Sequence, residues 1–151
     1  MLLNIYNTEE ILTKLNTLHK DAKPLWGKMT PQHIVEHLTF SLQMSTGKNP
    51  QRLHFADDVA EGIKRKIIYS DIEIPEGVKN PVLGDEPPPI VHPDMRTANQ
   101  NLLAELEHFH NHYKENPEAK NMHLRMGLLN KQEWTIFHNK HFTHHFKQYN
   151  L

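Results

Sequence analysis

The sequence contains no cysteine. That absence excludes disulfides, zinc–thiolate sites and a cysteine nucleophile, and it leaves the redox compartment unspecified. Charge of one sign is missing too: 17 Lys and Arg stand against 18 Asp and Glu, a formal net charge of −1. Basic and acidic residues are interleaved, so no face offers the positive field that a phosphate backbone requires, and nucleic acid is not an expected partner. No stretch approaches the roughly 20 consecutive apolar residues of a membrane span. The first residues lack the basic-then-apolar layout of a secretory leader, so the expected location is the cytoplasm, away from any membrane.

Histidine is what the chain has in excess, 13 in 151 residues, scattered rather than gathered in a terminal run. The hydrophobic share of 37% and the charged share of 23% are ordinary for a water-soluble domain. The length suits one core, and neither an internal repeat nor a second domain is visible, so residues 1–151 read as a single domain.

Hydrophobic periodicity and cap residues predict an all-α chain. A first helix over about 8–20 follows the Asn7/Glu10 capping pair and keeps Ile11, Leu15 and Leu18 on one face. A second starts at Thr30 with Pro31 in its first turn and ends at Gly47. A weaker third spans about 57–69, with Val59, Ile63 and Ile67 in register. A fourth, about 95–113, carries Leu102, Leu106, Phe109 and Tyr113. A fifth is capped by Asn130 with Glu133 and runs nearly to the last residue. Between the third and fourth, residues 70–93 hold Pro75, Pro81, Pro87, Pro88, Pro89 and Pro93, which no helix interior tolerates. The aliphatic residues Ile72, Ile74, Val78, Val82, Leu83 and Ile90 among them predict an ordered crossover packed across the helices.

The fifth helix concentrates the chemistry. At about 100° per residue, Trp134, His138, His141, His145 and Gln148 share a narrow arc. Unpartnered imidazoles are costly to bury, and a divalent ion is the economical partner for them: zinc or nickel first, iron or manganese next. His141 and His145 are one turn apart, the spacing with which two imidazoles grip one ion. His138, one turn earlier on the arc, is a candidate proton shuttle or a histidine behind the ligands; His144 lies about 100° away and misses the site. A third ligand is expected from the second helix, where His37 lies beside Ile34, Leu38 and Ser41, with His33 at the pocket mouth. Glu36 points away from that face. His108 and His112 fall off the apolar stripe of the fourth helix and read as solvated, as do His19, His54, His92 and His110.

Two stretches carry a resemblance. One is Trp26-Gly27-Lys28-Met29-Thr30-Pro31-Gln32-His33-Ile34-Val35-Glu36-His37-Leu38. The other comprises His123, Gly127, Leu128, Glu133-Trp134, Lys140-His141, His144-His145 and Gln148-Tyr149. Together, over about a quarter of the chain, they resemble the DinB-like superfamily of bacterial metal-binding four-helix bundles, nearest to a subgroup of unknown function. The resemblance implies four main helices, with the third predicted helix a short piece before a long proline-rich crossover. It also implies His37, His141 and His145 as the metal ligands. Leu124, where the subgroup usually has proline, and the Arg125-Met126 pair depart from its pattern at the pocket rim.

Characterised relatives imply a metal-dependent transferase that uses a low-molecular-weight thiol, or a hydrolase-like or isomerase activity, on a small-molecule substrate. A homodimer is an expected assembly. The alternative is a non-catalytic metal-binding or stress-response protein. Trp26, Trp134 and Phe137 are the candidates for an apolar pocket wall.

Overall fold

Side-chain caps set most of the helix starts. In the computed structural model, which describes residues 1–151, the chain is mostly helical: α1 (Thr8–Thr17), α2 (Pro31–Ser45), α3 (Asp57–Ile68), α4 (Met95–Glu115) and α5 (Lys131–Lys147). Asn7, Thr30, Asp94 and Asn130 each accept a backbone N–H from the first turn of α1, α2, α4 and α5, satisfying a donor that the helix itself leaves free. At α2 and α5 the bond is reciprocal, returned by His33 and Glu133. α3 has no side-chain cap, and only Asp57 and Asp58 favour its N-terminus.

Boundaries depart from the sequence reading where the turn chemistry is local. α1 stops at Thr17 because Leu18 is already extended, and α2 stops at Ser45, ahead of Gly47 at φ +75. α4 runs on to Glu115. One feature was not anticipated: an antiparallel hairpin of β1 (Asn121–His123) and β2 (Gly127–Leu129), with Met122 opposite Leu128. Strands of three residues are too short for alternation to register, and the turn depends on Gly127 at φ +81.

A single core of 22 buried apolar residues joins the five helices and β2, including Ile11 and Leu15 of α1, Ile34, Leu38 and Leu42 of α2, Leu102, Leu106 and Phe109 of α4, and Trp134, Phe142 and Phe146 of α5. Within α3 the buried residues are Ala60 and Ile68, while Val59 is exposed. The segment before α1 lies along α5, where the Leu3 and Ile5 backbone N–H groups donate to Thr143 Oγ1 and Asn139 Oδ1.

The crossover is non-helical, but it is not packed by its aliphatic side chains. Of those six residues only Ile74 rests on the core; Ile72, Val78, Val82, Leu83 and Ile90 are exposed. Polar clamps hold it instead. Lys140 Nζ donates to the carbonyls of Ile67, Ser70 and Ile72 at 2.7–2.8 Å. At the far end the Glu36 carboxylate accepts the backbone N–H groups of Val91 (2.7 Å) and His92 (3.3 Å). No helix is long and apolar enough to cross a membrane.

Candidate metal centre

Helices α2 and α5 bring the His37 imidazole against those of His141 and His145, which are one turn apart on α5 and at least 104 residues from His37. His37 Nε2 lies 2.9 Å from His141 Nε2, which lies 3.0 Å from His145 Nε2. One ligand atom from each of the three falls within 4.8 Å of the others. His141 and His145 are buried and His37 is half-buried. Burial, and then the charge of His144, pushes His37 down to about 4. Burial, reinforced by neighbouring histidines, holds His141 and His145 well below the usual imidazole range. All three are therefore neutral near pH 7 and available as ligands.

Neutral imidazoles do not carry enough protons to make all of their close contacts hydrogen bonds. His145 Nδ1 lies 2.6 Å from Gln148 Oε1, and Gln148 Nε2 donates to the Trp26 carbonyl at 3.2 Å. That carbonyl accepts only, so it fixes the amide orientation and turns Gln148 Oε1 toward His145. His145 must then carry its proton on Nδ1 and present a bare lone pair at Nε2. His141 Nε2 faces that lone pair on one side and His37 Nε2 on the other, and with one proton it cannot serve both in two full hydrogen bonds. Its own Nδ1 is buried without a partner. Three convergent imidazole nitrogens that can each turn a lone pair inward suit a divalent ion, and the residues fit such a group.

The other sequence candidates sort differently. His138 is fully buried outside this cluster, stacked on Trp134 (ring centroids 5.4 Å apart) and edge-on to Phe109 (5.0 Å), with neither ring nitrogen hydrogen-bonded. Burial, with His123 and His110 nearby, lowers it to about 3. His33 is taken up by the α2 cap, its Nδ1 accepting from the Thr30 N–H at 3.2 Å. His144 misses the cluster, as expected, and its Nδ1 lies 3.1 Å from the Ile74 carbonyl, so that nitrogen is the donor. Glu36 is committed to the crossover.

The solvated reading holds for His19 and His108 but not throughout. His54, His92, His110 and His112 are half-buried. The His110 ring stacks on Tyr6 at 4.5 Å, and His112 Nε2 is buried without a partner. His123, not singled out as a site residue, is buried and accepts the Arg125 N–H at Nδ1.

The expected apolar pocket between α2 and α5 is also redrawn. Trp134 and Phe137 belong to the core. Trp26 instead lines a mixed polar cleft of about 290 Å³ between the crossover and α5, with Ile74, Pro75, Thr143 and His144. None of the three clustered histidines lines it, although the His144 ring lies 4.9 Å from that of His145.

No family model, no curated protein and no solved structure matches this chain.

Proposed function

We propose that the chain is a DinB-like four-helix-bundle protein in which His37, His141 and His145 hold one divalent ion, zinc or nickel by preference. We further propose that it acts as a metal-dependent enzyme of the thiol S-transferase or hydrolase type, on a small molecule rather than a nucleic acid. The observation that carries the reading is the convergence of three neutral imidazole Nε2 atoms whose hydrogen bonds cannot all be made. An ion held by three uncharged ligands keeps its full positive charge and supplies Lewis acidity to a thiol or water at a free position.

The chain's own residues define what surrounds that ion. His37 is the least buried of the three ligands and is the expected side of approach for a small molecule. His145 is oriented by Gln148, and the Trp26–His144 cleft lies beside the cluster as a place for the body of a substrate. The competing reading is a non-catalytic metal-binding protein. It is favoured by the commitment of Glu36, the carboxylate adjacent to His37 in the chain, to the crossover, where it cannot serve as a base.

Elemental analysis and zinc and nickel titration of untagged protein test the ion, with His141→Ala as the control. One tight site per chain, lost in the variant, is expected; no site in the wild type, or unchanged affinity in the variant, defeats the proposal. A screen of metal-loaded protein with small thiols, electrophiles and esters then separates the two readings. Metal-dependent turnover that His145→Ala abolishes supports the enzyme. Binding without turnover supports the non-catalytic protein.

A further inference from the structure

The carboxy-terminal end of α5 is tied to the loop before α2 by more bonds than packing alone would need. The Leu25 N–H donates to the Gln148 carbonyl at 2.7 Å, and the Tyr149 hydroxyl donates to the Met29 carbonyl. Gln148 is buried, and its side-chain amide bridges the Trp26 carbonyl and His145 Nδ1. Between them, Gly27 sits at φ +78, and a Cβ there would stand 3.0 Å from Gln148 Nε2. The loop thus approaches the amide at a distance that only glycine allows without displacing it.

Of the three clustered imidazoles, His141 has its remote nitrogen buried without a partner, whereas His145 is held from behind at 2.6 Å. We infer that Gln148 is a positioning residue that fixes His145 as the Nδ1–H tautomer and so presents its Nε2 lone pair to the ion in advance. The inference rests on the metal reading for its purpose, but the tautomer exists in the metal-free protein. The direction of the hydrogen bonds follows from the one group in the chain that cannot reverse its role, the Trp26 carbonyl. A Gln148 side chain lacking that anchor is free to turn its amide and offer a donor to His145. That would favour the Nε2–H form and cap the lone pair. Partners behind a metal-bound histidine commonly set its tautomer and basicity, and their loss weakens metal binding by about 10- to 100-fold.

The test is nitrogen NMR of ¹⁵N-histidine-labelled, metal-free protein, paired with zinc titration of the same samples. In the wild type, the resonances missing from His145→Ala should carry the signature of a protonated Nδ1 and an unprotonated Nε2. Gln148→Met, of similar length but unable to accept strongly or donate, should shift His145 toward a tautomer mixture and weaken zinc binding by about tenfold or more. Gln148→Glu keeps the acceptor and should restore the Nδ1–H tautomer, a rescue that a merely space-filling role would not require. A wild-type His145 protonated on Nε2 overturns the inference, whatever the variants do. So does a folded Gln148→Met protein with wild-type tautomer and zinc affinity. If the wild type shows the Nδ1–H tautomer but binds no zinc, the metal reading fails while the positioning of His145 stands.

Discussion

His138 shows how far one residue's position on a helix defines its role. Its place on the arc with His141 and His145 was legible from 3.6-residue periodicity, and the structure puts it on the buried face of α5. What periodicity does not give is the company it keeps: Phe109 comes from α4, 29 residues earlier. In that apolar setting His138 sits at about 3, far from the value near neutrality that suits a general acid or base. The same burial makes it a liability in acid. The unfolded chain binds a proton at His138 near the ordinary 6.5, and the folded chain binds it only near 3. Stability from this group is therefore fully present above pH 6.5 and is lost as pH falls from 6.5 toward 3, at about 1.4 kcal/mol per pH unit. Urea unfolding of metal-free protein across that window should show falling midpoints, and His138→Phe should flatten the slope by about one proton. Equal slopes would mean that His138 is protonated in the fold. His110 and His112 lie at the other extreme of legibility. The His110 ring is covered by Tyr6, over 100 residues away in sequence, which no local pattern reports.

Among the elements, helices were the readable part and the crossover was not. Caps at Asn7, Thr30 and Asn130 are local chemistry, written within four residues, whereas the crossover's attachment is written elsewhere, in Glu36 and Lys140. Lys140 is buried, and burial lowers its pKa, yet its ammonium is met by three carbonyls at the end of α3 and the start of the crossover. Nothing in the residues next to Lys140 in sequence reports these partners. Its placement is that of a cation closing a helix carboxy-terminus. Removing it takes the donor from three carbonyls at once. Lys140→Met should therefore cost about 1–3 kcal/mol, by the usual worth of hydrogen bonds to a charged group. Amide exchange should quicken selectively over residues 69–75, with α4 protected as before. An unchanged exchange pattern would show that the crossover is held by something other than this clamp. The same contrast explains the mistaken expectation that aliphatic residues pack the segment: hydrophobicity says that Val78, Val82 and Leu83 would gain from burial, but not that a surface exists to receive them.

Across the whole molecule the three histidines connect helices from opposite ends of the chain, and that separation makes the ion a test of the fold. α2 and α5 are already adjacent, and both send side chains into the common core, so a bound ion adds a link present only in the native state. A ligand that binds only the folded form stabilises it by RT ln(1 + [L]/Kd), about 2.7 kcal/mol when free metal is 100 times Kd. For a chain of this size that corresponds to a rise in Tm of roughly 5–10 °C. Thermal unfolding of untagged protein with and without saturating zinc should show this rise. His145→Ala and His37→Ala should both abolish it, because one removes the ligand from α5 and the other the ligand from α2. His108→Ala and His112→Ala should leave it intact, since their paired rings on α4 stand 6.2 Å apart at centroids and take no part in the cluster. The His37 variant is the sharpest of these. If it keeps the full rise, the ion sits on the α5 pair alone, α2 contributes no ligand, and the three-histidine centre is wrong. If His112→Ala loses as much as His145→Ala, the metal belongs on α4.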